Sequence, residues 1–131
     1  MAEENSPWPT EVRVLNNRSA MRVVFEDGSQ FTLPAEYLRV ESPSAEVQGH
    51  SPDERQTVPG KRNVMILEVH PVGNYAVRLV FDDMHSTGIY TWGYLHELGR
   101  EHEVRFQRYL EELAAKGLSR DSGSVPKKHI H

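Results

Sequence analysis

The same seven-residue pattern occurs twice in this chain. Residues 21–27 read MRVVFED and residues 77–83 read VRLVFDD, a spacing of 56 residues, and the pair Tyr37-Leu38 returns as Tyr94-Leu95 after a one-residue insertion. A unit of this size cannot bury both faces of its own sheet, so two copies are expected to pack against each other. The repeat therefore predicts two similar strand-turn-strand-helix units within one fold.

Apolar patterning divides each unit into strands and helices. Runs rich in β-branched residues indicate strands, and Gly28 can adopt the left-handed conformation that a tight turn needs. A short helix over 93–98, closed by Gly99, and a longer C-terminal helix from Phe106 to Gly117 follow from apolar residues at helical spacing. The expected fold class is α+β with antiparallel β-sheet. The predicted strands are 11–15, 20–25 and 29–33 in the first unit and 64–69, 75–81 and 86–90 in the second.

Length and composition bound the domain organisation. A chain of 131 residues has room for one domain, which we place at 10–118 between disordered tails at 1–9 and 119–131. Residues 41–62 contain three prolines, two glycines and almost no large apolar side chains. That composition predicts a long, mobile loop.

Composition also excludes several classes of function. The longest uninterrupted apolar run, residues 64–67, is far shorter than the ~20 residues that a membrane span needs. The formal net charge is −4 and the basic residues are scattered, so neither a membrane nor a nucleic acid is an expected partner. The chain has no cysteine, which excludes disulfides and thiolate metal ligands. A cytoplasmic location is the expectation.

Catalytic motifs are missing from the sequence, whereas histidines are frequent. Neither a glycine-rich phosphate loop nor a nucleophile elbow is present, and we expect the chain not to be an enzyme. Among the seven histidines, His85 follows Asp82 and Asp83 and precedes the small residues Ser86 and Thr87. Imidazole is the commonest protein metal ligand. We expect the ring of His85 to reach outward from a turn, where it can contact a partner or a metal.

Four separated motifs, taken in order, resemble one known family. They are Phe25-Glu26-Asp27-Gly28-Ser29, Tyr37-Leu38-Arg39, Ser42-Pro43-Ser44 and Asp82-Asp83-Met84-His85-Ser86-Thr87-Gly88-Ile89-Tyr90. Over roughly residues 8–117 the chain is similar to the gamma-butyrobetaine hydroxylase-like N-terminal domain family, also called DUF971, and specifically to its small, stand-alone bacterial members. The resemblance implies a domain that also occurs in 2-oxoglutarate-dependent iron oxygenases and in iron–sulfur carrier ATPases of the Mrp type.

The resemblance also implies a metal site, because in the hydroxylases of this family the domain holds a structural zinc through three cysteines and one histidine. The cysteine positions fall on Ser42, Ser44 and Val47 of this chain, and the histidine falls on His85. Serine is a weak neutral ligand and valine is none, so the family's zinc is not carried over. An iron or zinc ion held here would need other ligands beside His85, taken from His50, His70, Asp82 and Asp83.

Two hypotheses about function follow. The preferred one is a non-catalytic interaction module that serves iron–sulfur or metal-enzyme assembly. The rival is a metal-binding protein associated with 2-oxoglutarate-dependent oxidoreductase chemistry, with His85 as a ligand. In the preferred hypothesis the partner is a protein, and an exposed His85 should tolerate replacement by alanine with a loss of no more than about 0.5 kcal/mol. The predicted partner-binding residues are His85, Ser86, Thr87, Tyr90 and Trp92.

Overall fold

In the computed structural model, which describes residues 7–15, 17–49 and 52–121, six strands and four α-helices follow one another. Each three-stranded group is followed by a helix, as the repeat predicts. The elements of the first unit are β1 (Pro9–Leu15), β2 (Ala20–Phe25), β3 (Gln30–Pro34) and α1 (Ala35–Val40). A connecting segment holds α2 (Ala45–Gln48) and a 3₁₀ turn (Pro52–Glu54). The second unit comprises β4 (Ile66–Val72), β5 (Ala76–Phe81), β6 (Ile89–Thr91) and α3 (Trp92–Arg100), and α4 (His102–Ala115) follows it.

The strands form two antiparallel sheets with the orders β1-β2-β3 and β4-β5-β6. Their registers repeat: Val12 pairs with Val23 in the first sheet, and Val69 pairs with Leu79 in the second. The β1–β2 pair and the β4–β5 pair each have one shift in register near the start of their first strand. The middle strands β2 and β5 have the same order of buried and half-buried residues. The predicted α+β class and the two similar units are confirmed.

The helix of each unit reaches across to the other unit. The hydroxyl of Tyr37 on α1 donates to the carbonyl oxygen of Leu98 at 2.7 Å, and the hydroxyl of Tyr94 on α3 donates to the carbonyl oxygen of Glu41 at 2.6 Å. Both donors and both acceptors are equivalent positions of the repeat, 57 residues apart. The two units therefore exchange the same contact in both directions, like the halves of a symmetric dimer.

Both sheets contribute to one buried apolar core. Met21, Phe25, Leu79 and Phe81 on the middle strands have between 0% and 2% of their surface exposed. α3 packs on β3 at Gly99, where a Cβ atom would lie 2.3 Å from the ring of Phe31. Gly99 therefore allows close packing inside α3, whereas the sequence pattern placed the helix end there. A smaller cluster of Val40, Tyr109 and Leu113 anchors α4.

The segment 41–62 contains two short helical elements, and described residues in both predicted tails make contacts with the domain. Val47 on α2 is 2% exposed, and the backbone N–H of Gln56 donates to its carbonyl oxygen at 2.7 Å. Near the C-terminus, Arg120 binds both carboxylate oxygens of Glu36 at 2.6 and 2.8 Å. The mobility of 41–62 stays a prediction, and most of the two tails lies outside the described residues. No helix within the described ranges is long and apolar enough to cross a membrane.

Candidate functional site

The turn between β5 and β6 contacts the segment that follows α1, and His85 lies at the contact. The Nε2 atom of His85 lies 3.0 Å from the Oγ of Ser42 and 3.4 Å from the Oγ of Ser44. Only 6% of the His85 side chain is exposed, and Ser42 is fully buried. The expectation that His85 reaches outward is wrong, because the two serine hydroxyls give its ring polar partners inside the protein.

The backbone of the turn explains why His85 points inward. The backbone N–H of His85 donates to the Oδ1 of Asp83 at 3.1 Å, and its carbonyl oxygen accepts from the N–H of Phe81 at 2.9 Å. Met84, which lies between Asp83 and His85 in the chain, has a φ of 75°. This is the left-handed region, which residues other than glycine rarely adopt. An aspartate-capped turn with one left-handed residue thus fixes the direction of the histidine.

Asp83 is the electrostatic centre of this turn. Its Oδ2 lies 2.7 Å from the Nε of Arg39 and 2.6 Å from the Nζ of Lys61. Burial alone would raise the pKa of the Asp83 carboxyl, but hydrogen bonds from Lys61, Arg39 and the backbone of His85 lower it to about 2. The carboxylate is therefore charged at neutral pH and holds α1, the connecting segment and the turn together.

His85 is neutral at neutral pH, since burial and the neighbouring Arg39 lower the pKa of its imidazole. The Nδ1 atom faces the Oε1 of Glu46 at 3.4 Å, and Glu46 also accepts from the hydroxyl of Thr87 at 2.8 Å. A proton on Nδ1 would leave Nε2 as an acceptor for the serine hydroxyls.

The side chains of Ser42, His85 and Glu46 contact one another in that order, which is how a nucleophile, a base and an acid are connected in a catalytic triad. The hydroxyl of Ser42, however, belongs to a residue with 0% exposure. The Ser42 hydroxyl is sealed from solvent in this structure, so the structure as described gives no support to a nucleophilic role for it. What it does support is a buried polar contact between two segments.

The remaining predicted partner-binding residues are placed differently from one another. Thr87 is exposed, while Ser86 and Trp92 are half-buried. Tyr90 is fully buried, and its hydroxyl donates to the carbonyl oxygen of Leu38 at 2.5 Å. Tyr90 is thus a core residue that ties β6 to α1, and its assignment to a partner surface is wrong.

An open depression of about 330 Å³ lies beside the turn, and Met84 stands at its rim with 82% of its surface exposed. Sequence reasoning gave Met84, Glu46 and Arg39 no role. Aligning the two repeats would have signalled the first of them, because Met84 occupies the position of Gly28. The depression is lined by Arg39, Glu46, Val47, Val58, Asp83, Met84 and His85.

The sequence profile of one family, described as gamma-butyrobetaine hydroxylase-like, N-terminal, matches residues 12–96. The chain belongs to that family. Its two repeats and the turn at His85 all lie within or next to the matched range. No match was found among curated proteins.

Solved structures agree with this family membership. One NMR solution structure is 40% identical to the chain, and the match covers 90% of this chain and 93% of that one. A second NMR solution structure is 43% identical, and the match covers 88% of this chain and 86% of that one. Each gives a TM-score of 0.77. A crystal structure from Acidithiobacillus ferrooxidans, a protein with unknown function of the DUF971 family, is 45% identical. It covers 70% of this chain and 91% of its own, with a TM-score of 0.58.

The zinc implied by the gamma-butyrobetaine hydroxylase-like family does not fit the residues present. The geometry brings Ser42 and Ser44 to His85, as the family's ligand pattern requires, but two neutral hydroxyls and the apolar side chain of Val47 cannot bind zinc as thiolates do. No group of three or more His, Cys, Asp or Glu side chains within 7–15, 17–49 and 52–121 is placed to hold a metal. His70 instead pairs with Glu68 at 2.5 Å, and His50 lies outside the described residues.

Proposed function

We propose that this chain is a non-catalytic interaction module that docks a protein partner through the β5–β6 turn, with Met84 as the central contact. The observation that carries the proposal is the conformation and exposure of Met84: a large apolar side chain, 82% exposed, on a backbone with a φ of 75°. Strained residues of this kind are typical of binding sites.

The first repeat shows that the fold does not require methionine there. Gly28, at the equivalent position, has a φ of 93° and would have nothing within 4 Å of an added Cβ. A left-handed non-glycine residue costs roughly 1–2 kcal/mol. Burying a methionine side chain in an interface gains about 1.5–3 kcal/mol, which outweighs that strain. The free energy gained by burying Met84 in a complex would thus exceed the backbone strain that Met84 introduces.

The charges around Met84 define the chemistry of the partner. Arg39 and Lys61 are largely buried and paired with Asp83, whereas Glu46 and Asp82 are exposed. The rim that a partner meets is therefore acidic and the tip is apolar. A partner surface with an apolar pocket bordered by Lys or Arg side chains is complementary to it.

The family resemblance favours partners that assemble iron–sulfur or other metal enzymes, because the domain also occurs in Mrp-type carrier ATPases. The test is isothermal titration calorimetry of the full chain with the Mrp-type ATPase of the same organism. Met84→Ala removes the side chain but keeps the strained Cβ, and we expect it to weaken binding at least about tenfold, equivalent to about 1.4 kcal/mol.

A reciprocal pair of variants controls for stability. Met84→Gly should weaken binding as much as Met84→Ala while raising stability by about 0.5–1 kcal/mol, since relief of strain exceeds the added chain entropy of glycine. Gly28→Met should lower stability by a similar amount and leave binding unchanged. Equal affinities of the wild type and Met84→Ala would overturn the docking role, and no binding to the ATPase would overturn the iron–sulfur assignment.

A further inference from the structure

We infer that Ser42, Ser44 and His85 form a metal-independent clamp, which holds the segment 42–48 against the β5–β6 turn. The clamp is a structural site distinct from the docking role of Met84. It is built from neutral hydroxyls and an imidazole at the positions where the family pattern has metal ligands. No metal is needed for the contact, because the side chains bond directly to one another.

The hydrogen bonds of the clamp also organise the segment itself. The Oγ of Ser42 accepts from the backbone N–H of Ser44 at 3.3 Å, and the side-chain amide of Gln48 donates to the carbonyl oxygen of Ser42 at 2.9 Å. On the outside, Thr87 donates to Glu46. Four residues of this short segment, Ser42, Ser44, Glu46 and Gln48, thus bond to one another or to the turn.

Gly88 supplies the close approach that the clamp requires. A Cβ atom on Gly88 would lie 2.5 Å from the Oγ of Ser42, and 3.2 Å from the ring of Tyr90. Its φ lies outside the left-handed region, so the turn conformation does not demand glycine there. The absence of a side chain at residue 88 is instead explained by the serine packed against it.

The first repeat has no equivalent clamp. The positions that correspond to Ser42 and His85 are Gly99 and Ser29. Gly99 packs on the ring of Phe31, so on that side of the molecule an aromatic ring fills the space. The polar cluster is therefore a property of the second turn and not of the shared scaffold.

The spacing of the clamp is also that of metal ligands. In tetrahedral zinc sites, Zn–S distances of about 2.3 Å and Zn–N distances of about 2.0–2.1 Å place the sulfur and nitrogen ligands about 3.5 Å apart. The serine oxygens lie 3.0 and 3.4 Å from the Nε2 of His85. Cysteines at these positions would need only small shifts to bind a metal, whereas hydroxyls at the same spacing hydrogen-bond directly.

The first experiment removes one member of the clamp and adds a chelator. For the wild type we expect EDTA to change the melting temperature by less than about 1 °C, as for a protein whose folding is not linked to metal binding. Ser42→Ala should lower the melting temperature by about 4–8 °C. It should also speed hydrogen exchange of the α2 amides at least about tenfold more than that of the β2 amides.

Ser86→Ala is the matched control, since it makes the same chemical change beside His85 but outside the clamp. It should leave α2 exchange unchanged. Stoichiometric zinc or iron in the untagged wild type, together with a melting temperature that EDTA lowers, would overturn the inference. Unchanged α2 exchange in Ser42→Ala would overturn it as well.

The second experiment uses the triple variant Ser42→Cys/Ser44→Cys/Val47→Cys. We expect it to bind one zinc ion, and EDTA should then lower its melting temperature by at least about 10 °C. Adding His85→Ala to the triple variant should weaken zinc binding at least about tenfold. Failure of the folded triple variant to bind zinc would show that these positions do not converge as inferred, and the Ser42→Ala result stands as a separate test if the variant does not fold.

Discussion

The two hairpin turns of this molecule are built alike, and they differ at the residues that contact other segments. In both, an aspartate accepts from the N–H two residues later, and a phenylalanine N–H closes the turn. In both, one residue is left-handed. The first turn uses Gly28 and Ser29 for the last two positions, whereas the second uses Met84 and His85.

The contacts across the two units show the same contrast. Asp27 of the first turn lies 3.2 Å from His96 on α3, and Asp83 of the second lies 2.7 Å from Arg39 on α1, at the equivalent position of the repeat. Only the second aspartate also binds Lys61, at 2.6 Å. The shared features are what the fold needs, since both units have them. Met84 exceeds that need, because Gly28 serves at the equivalent position, and this is why the docking role is proposed for the second turn.

The largest expected effect tests the shared scaffold. Phe25→Ala and Phe81→Ala remove equivalent buried rings, which are 2% and 0% exposed. Each should lower the free energy of unfolding by about 3–5 kcal/mol, through lost burial and the cavity that remains. Urea denaturation measures both. A difference of more than about 2 kcal/mol between them would mean that the two units do not contribute equally to one core.

A smaller effect tests the specialised turn. His85→Ala leaves the hydroxyls of Ser42 and Ser44 without their shared partner and should cost about 2–3 kcal/mol. Ser29→Ala, at the equivalent and partly exposed position, should cost only about 0.5–1 kcal/mol. Denaturation curves of the two variants decide between the turns. A loss of 0.5 kcal/mol or less for His85→Ala, roughly what an exposed side chain gives, would contradict the clamp.

The sequence predicted the scaffold better than the site, for a physical reason. Strand and helix patterns are local in sequence, and the two copies of the repeat predict the same elements independently. The α+β fold could therefore be predicted. Burial of His85 depends on Ser42, 43 residues earlier, and nothing in the turn itself reports that contact. Tyr90 was misplaced for the same reason, because its partner is the carbonyl oxygen of Leu38 on another element.

The unusual position of Met84 was accessible from the sequence, although only through the repeat. Read alone, a methionine in a turn carries little information. Aligned with Gly28, it occupies a position whose backbone is left-handed in both units. A bulky residue at such a position indicates either strain or function.

The smallest expected effect is a dependence of stability on pH that belongs to the second turn. Burial, followed by the positive charge of Arg39, lowers the pKa of His85 below its ordinary value of 6.5, while Glu46 and Asp83 oppose that shift. The folded state therefore binds a proton less readily than the unfolded state does. The stabilisation is complete above pH 6.5 and is lost as the pH falls from there toward the lowered pKa of the folded protein.

Replacing His85 by glutamine keeps a hydrogen-bonding side chain and removes the titration. The free energy of unfolding of the wild type should fall between pH 7.5 and pH 5.5 more steeply than that of His85→Gln, by chemical denaturation at fixed salt. Part of the slope should remain in the variant, since burial also lowers the pKa of His102. Asp83 does not contribute in this range, because its pKa is about 2. Identical slopes for the two proteins would mean that folding does not shift the pKa of His85. The electrostatic difference between the two turns would then be contradicted.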